Sequence, residues 1–277
     1  MDYKKMIAAL VLAGTTAVTA EGIVSSSIVG YQNKGFDNAQ YNITAATFIP
    51  VQGEKDDMTL GDFAPNASFV NSTISFMTQG GATARVTFGG KQVPASYVYW
   101  ADADDTEAGE AGWYLVDDDD ATVCQNSVNV PFGTGFLVYR SGPETDATLT
   151  YAGSVSTDPI TKGFPNAQYN VCGNCSPVDL TLGDITPNAS FINSSISFMT
   201  QGGATARVTF GGKQVPASYV YWADADDTEA GEVGWYLVDD DDATVCQNAV
   251  PIAAGQGFLV YRSGPETAAM LTIPSAL

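Results

Sequence analysis

The chain contains no histidine. That absence removes Ser-His-Asp and Cys-His catalysis, histidine-based zinc sites and the commonest general base. Positive charge is scarce as well: 11 Lys and Arg stand against 31 Asp and Glu, a formal charge of −20 over 277 residues. A field of that sign repels nucleic acid and anionic lipid, which excludes nucleic-acid binding. Beyond the first twenty residues there is no helical periodicity. No apolar run approaches the roughly 20 residues that span a bilayer as a helix. There is no P-loop and no dinucleotide fingerprint; the glycines of GGATARVTFGG (80–90) precede no helix that would aim its amides at a phosphate.

What is present begins with an export signal. Lys4 and Lys5 precede a short apolar run, MIAALVLA, and small residues follow, with Val18 and Ala20 placed for cleavage. Residues 1–20 are thus expected to be removed, leaving a secreted or cell-surface protein that begins at Glu21 and carries 30 acidic and 9 basic residues.

The chain also repeats itself. Residues 74–110 recur unchanged at 196–232, GWYLVDDDDATVCQN at 112–126 recurs at 234–248, and GFLVYRSGPET at 135–145 matches 257–267. Upstream, 34–42 matches 162–170 at an offset of 128 rather than 122, so the second copy is six residues shorter there. A unit of this length is a normal size for one domain and too long for a solenoid turn. The division expected is 21–155 for copy one and 156–277 for copy two, joined through GSVSTDPI.

Within each copy the pattern is that of strands. ISFMTQ, ARVTF, YVYW, GWYLVD and GFLVYR alternate in period two, are rich in β-branched and aromatic residues, and are broken by Gly or Asp. The expected fold is all-β, two tandem copies of a small sandwich or barrel-like domain. GGK at 89–91 and QGG at 79–81 are expected turns.

The ordered series VGYQNKGF (29–36), YVYW (97–100), Gly112-Trp113, GTGFLVYR (133–140) and LTYAGSV (149–155) resembles that of a large set of functionally uncharacterised exported bacterial β-repeat proteins. The resemblance covers nearly the whole mature chain. It implies export and a β-rich repeat, and it carries no catalytic residue.

Three constellations are candidates for chemistry. The first is acidic. Asp102, Asp104, Asp105 and Glu107, with Asp224, Asp226, Asp227 and Glu229 in copy two, offer hard oxygen ligands for calcium. They do not follow the EF-hand order, and a hairpin through GWYLV would bring them to the run Asp117 to Asp120. The bland reading is a pair of solvated loops. Paired carboxylates also serve glycoside hydrolysis, but that needs one acid held against an apolar wall, which Ala/Gly/Thr-rich loops do not offer.

The second is aromatic. With Val98 and Trp100 turned inward, Tyr97 and Tyr99, and their counterparts Tyr219 and Tyr221, would face outward as a sugar-stacking platform, duplicated for avidity on a polysaccharide. The plainer alternative is sheet packing. The third is sulfur. Cys124, Cys172, Cys175 and Cys246 allow three disulfide pairings, and export favours bridges. Only copy two carries the C-x-x-C of Cys172 and Cys175, and no helix follows to activate its first thiol.

Export, duplication and the lack of a catalytic constellation lead to one expectation: a non-enzymatic structural protein whose partners are itself or other surface proteins. The alternative is a carbohydrate-binding pair.

Overall fold

The structure, a computed structural model, describes residues 29–36, 40–50, 57–69, 72–78, 82–140, 146–164, 168–191, 194–200, 203–263 and 268–275. The expected signal (1–20) and the turn QGG (79–81) lie outside the described residues. The chain is all-β: among the described residues only short 3₁₀ turns interrupt the strands, and the small antiparallel sheets are arranged as a four-bladed, propeller-like ring. No helix among the described residues is long and apolar enough to cross a membrane.

Copy one runs β1 (Val29–Phe36), β2 (Gln40–Ala45), β3 (Met58–Thr59), β4 (Ala64–Pro65), β5 (Thr73–Ser75), β6 (Arg85–Phe88), β7 (Lys91–Pro94), β8 (Ser96–Trp100), β9 (Gly112–Leu115), β10 (Asn129–Val130), β11 (Gly135–Arg140) and β12 (Ala147–Ser154). Copy two repeats them as β13 (Ile160–Phe164), β14 (Gln168–Gly173), β15 (Leu180–Thr181), β16 (Thr186–Pro187), β17 (Ser195–Ser197), β18 (Arg207–Phe210), β19 (Lys213–Pro216), β20 (Ser218–Trp222), β21 (Gly234–Leu237), β22 (Pro251–Ile252), β23 (Gly257–Arg262) and β24 (Ala269–Ile273). Each copy builds a five-stranded sheet, β2-β11-β5-β8-β9 or β14-β23-β17-β20-β21. It also builds a three-stranded one, β1-β12-β4 or β13-β24-β16.

Period-two alternation decides what each strand buries. In β11, Phe136, Val138 and Arg140 point into the core while Leu137 and Tyr139 point away from it. One hydrophobic cluster forms from Phe36 to Tyr151 and a second from Phe164 to Ile273. The expected turn at GGK is a two-residue hairpin between β6 and β7. Gly89 and Gly90 both have positive φ (54° and 76°), which matches the right-handed twist of the strands it joins.

The Gly-Trp pair is fixed by its surroundings. Trp113 is fully buried, donates its indole N–H to the Phe63 carbonyl (3.1 Å), and has its backbone N–H taken by Asn126 Oδ1 (3.0 Å). A Cβ on Gly112 would sit 2.7 Å from the Asn126 amide, so the residue before the tryptophan has to be glycine. Trp235, Ile185, Asn248 and Gly234 repeat the arrangement.

Candidate functional site

The hairpin β8–β9 does join the two acidic runs. The Glu107 and Ala108 N–H groups donate to the carbonyls of Asp120 (3.0 Å) and Ala121 (3.1 Å), tying the loop after β8 to the loop after β9. Asp102 accepts from the Asp104 N–H at 3.0 Å and so opens a 3₁₀ turn, as Asp224 does for Asp226. The buried Thr106 hydroxyl donates to the Ala103 carbonyl, and Tyr114, buried on the far face of β9, donates to the Glu110 carbonyl at 2.6 Å.

Asp118 is the buried carboxylate of this region. It accepts from Thr122 Oγ1 (2.9 Å) and the Val123 N–H (3.0 Å), and Asp240 does the same with Thr244 and Val245. Asp102, Asp104, Asp105, Glu107 and their counterparts Asp224, Asp226, Asp227 and Glu229 are exposed. Among the described residues no three or more acidic or thiol side chains are grouped so as to hold a metal ion.

The aromatic expectation needs correcting. Tyr97 and Tyr219 are 1% exposed and belong to the two cores. Tyr99 and Tyr221 pack edge-on against Trp113 and Trp235 at 5.3 Å, half-buried. These four tyrosines form no exposed platform. The reason lies in the register: β8 is enclosed between β5 and β9, and Tyr97 stands between Ile74 and Leu115 in one apolar row across the sheet. Alternation separates the two faces of a strand without saying which one meets the core.

The cysteines are free thiols: Cys172 and Cys175 are buried, and Cys124 and Cys246 half-buried. Burial pushes the thiol of Cys172 up to about 11 and that of Cys175 up to about 12. At the offset of 128, Cys172 and Cys175 occupy the places of Thr44 and Thr47. They are therefore variants of two packing positions in copy one.

Those positions lie where the copies meet. Thr44 forms an isolated antiparallel bridge with Gln256, and its hydroxyl and the Ala45 N–H both donate to the Gly255 carbonyl, at 2.7 and 3.2 Å. On the equivalent side the Cys172 thiol faces the Gly133 carbonyl at 3.6 Å. Equivalent residues Ala45 and Gly173 meet each other: a Cβ on Gly173 would lie 2.7 Å from that of Ala45. The copies are thus related by a local twofold axis that passes between β2 and β14.

Around that axis the outer faces of the two five-stranded sheets leave a cleft of about 460 Å³, lined by Tyr41, Ile43, Met77 and Leu137 of copy one and Tyr169, Met199 and Leu259 of copy two. Tyr41 packs at a tilt against Tyr139 across the strand pair (ring centroids 4.9 Å apart, planes at 43°), and Tyr169 does so against Tyr261 (5.1 Å, 45°). These four tyrosines, between 38% and 47% exposed, are outward aromatics of the two five-stranded sheets that the sequence pattern did not single out. The alternation of GFLVYR, with Phe136 and Val138 inward, was the available signal for Tyr139.

Two smaller clefts adjoin the first. One, about 280 Å³, shares Ile43 and Met199 with it and contains Lys34, Asn42, Thr200 and Gln256. The other, about 320 Å³, shares Met77 and contains Lys162, Asn170, Thr78 and Thr134. Lys34 donates to the Ala254 carbonyl of the other copy at 3.2 Å, and Lys162 donates to Thr134 Oγ1 at 2.8 Å. Burial lowers the pKa of Lys34, partly opposed by the charge of Asp179.

Comparison with known proteins adds no relative: no family model, no curated protein and no solved structure matches the chain.

Proposed function

We propose that this chain is a non-enzymatic structural protein of the cell exterior, built from two tandem β-domains, 21–155 and 156–277, that follow a cleaved signal. In each, the five-stranded sheet and the three-stranded sheet are the two layers of a small sandwich, and the protein works as a building block of a larger assembly.

The observation that carries this reading is the self-pairing of the two copies. Thr44, Ala45, Gly133, Gly173 and Gly255 bring β2 and β14 together around a local twofold, the symmetry by which identical units most often associate. The chain thus already contains one contact between two copies of its own repeat.

A second contact has an evident place. β1 is the edge of its sheet, and it is longer than its counterpart β13. Its additional residues Val29 and Tyr31 are 61% and 68% exposed, on one face of an edge strand. An edge with unpaired backbone and exposed apolar side chains is a template for another chain. A non-enzymatic role is supported by the missing histidine and by the engagement of the two aspartates buried among the described residues, Asp118 and Asp240, in their own loops.

Native mass spectrometry and light scattering of the processed protein, with and without calcium, test this. The expected result is concentration-dependent oligomers that V29K/Y31K reduces to single chains. A wild-type protein that stays a single chain at every concentration, in both conditions, overturns the proposal.

A further inference from the structure

We infer that the groove between the two copies binds a neutral, flat-faced polysaccharide chain, with Tyr41 and Tyr169 as its stacking platforms. The three adjoining clefts make one continuous groove across the twofold, since the central one shares Ile43 and Met199 with one flank and Met77 with the other. Its central part alone lies within the roughly 300–1,000 Å³ typical of ligand sites.

The lining selects the ligand class in three ways. First, the protein has 31 acidic residues, yet among the described residues no carboxylate lines any of the three clefts. Among these lining residues a cation finds no carboxylate partner. A strongly anionic polymer meets the field of the whole chain, which two lysines do not cancel. Second, the order along the groove is polar, apolar-aromatic, polar. Amide and hydroxyl groups (Asn42, Thr200 and Gln256 on one flank, Asn170, Thr78 and Thr134 on the other) enclose a centre of rings and thioethers. That order suits a chain whose units present both a flat C–H face and a rim of hydroxyls; a purely apolar molecule would leave the flanks unused.

Third, the platforms are braced. Tyr139 and Tyr261 pack at a tilt against Tyr41 and Tyr169, and Tyr41 also lies against the turn at Gly203, where a Cβ would come within 3.9 Å of its ring. A ring held from the side loses little freedom on stacking. The methionines Met77 and Met199 can adapt their thioethers to either face of a sugar ring. The platforms are thus on β2 and β14, and not on β8 and β20.

The test is calorimetric titration of the full protein with cellohexaose and hexa-N-acetylchitohexaose, both neutral, whose equatorial linkages leave both ring faces flat. Saturable binding to at least one is expected, weakened at least tenfold in Y41A/Y169A, retained within threefold in Y41F/Y169F, and unchanged in V116A, which removes an exposed apolar side chain outside the groove. Methyl NMR of the wild type gives a reading that needs no variant: the Met77 and Met199 signals shift on titration, and those of Met58 and Met270 do not. No binding of either saccharide at millimolar concentration overturns the inference, as does binding that leaves Met77 and Met199 unmoved. So does a groove that takes up only an apolar dye.

Discussion

Thr44 gives its hydroxyl to the carbonyl of Gly255 at 2.7 Å, while Cys172, its counterpart, turns a thiol toward the carbonyl of Gly133, the counterpart of Gly255, at 3.6 Å. The C-x-x-C of copy two is thereby explained without redox chemistry: two buried threonine positions are occupied by cysteine. C172T/C175T, which writes the copy-one residues into copy two, is expected to keep stability within about 1 kcal/mol of wild type, since size is nearly conserved and a better donor faces Gly133. Urea unfolding under reducing conditions measures it.

The same pair gives a pH dependence. The folded state holds both thiols protonated by burial, up to about 11 and about 12, against 9.0 when exposed. Folding therefore retains protons that the unfolded chain releases. Stability is whole below pH 9 and declines as pH rises from 9 toward 11. Tyr151, buried and pushed up from 10.0 to about 12, contributes a further loss that begins only above pH 10. Between pH 9 and 10 the decline belongs to the cysteines, and C172T/C175T is expected to flatten it. Urea midpoints at pH 8, 9 and 10 with a reductant present decide the matter.

Glycine sets how closely the copies approach. A Cβ on Gly257 would lie 2.2 Å from the Ile43 side chain and 2.7 Å from its carbonyl carbon; one on Gly135 would lie 2.4 Å from Val171 and 2.8 Å from the Cys172 carbonyl oxygen. Backbone atoms cannot rotate away, so G135A and G257A must push the two sheets apart. Each is expected to cost about 1–3 kcal/mol and to release amide-exchange protection at Ala45. G35A is the control: nothing lies within 4 Å of that Cβ, so it is expected to leave exchange at Ala45 unchanged and to cost no stability.

How much of this was readable in the residues can be seen at β8 and β11. The alternation of YVYW and GFLVYR located the strands and predicted an all-β chain, because each has a buried and a less buried side. In β11 the apolar Phe136 and Val138 were enough to orient it. From Tyr97 to Trp100 every side chain of β8 is apolar or aromatic, and the strand lies between β5 and β9 with both faces partly covered, so the pattern held no information on facing. The hairpin that joins the two acidic runs was also readable, from the single strand between them. The groove was not. Tyr41 and Tyr169 come together only through the twofold, and that depends on Gly135, Gly173 and Gly257, whose role is to leave room and which have no side chain to betray it.

Arg140 and Arg262 show the same limit inside each core. Both end the GFLVYR strand and look like ordinary charged ends of a ribbon, yet both are fully buried. Arg140 donates to the Ser68 carbonyl (2.7 Å) and Ser72 Oγ (3.0 Å), which stitches the turn after β4 to β11; Arg262 does so with Ser190 and Ser194. R140A would leave those acceptors without their donor and open a cavity of arginine size. A loss of about 3 kcal/mol is expected, with R140K recovering only part of it because a single ammonium cannot reproduce the planar fork. Chemical denaturation of both variants measures the difference.

The backbone at Ala121 carries a strain that can be relieved. Ala121 and Ala243 are the non-glycine residues with positive φ among the described residues, each at 49°, directly after the acidic run that closes the loop. Their position is enforced by the bonds on either side: Ala121 gives its N–H to the Asp118 carbonyl and accepts from Ala108. An L-residue there costs roughly 1–2 kcal/mol relative to the right-handed region, which glycine avoids. Against this stands glycine's larger loss of freedom on folding, about 0.5–1 kcal/mol. The first effect outweighs the second, so A121G is expected to stabilise the fold by a few tenths to about 1 kcal/mol, and A121G/A243G by twice as much, since the two loops lie in separate copies and share no partner. A rise in melting temperature from single to double variant checks both the strain and the independence of the two loops; A121V, which cannot take up that φ cheaply, is expected to move it the other way.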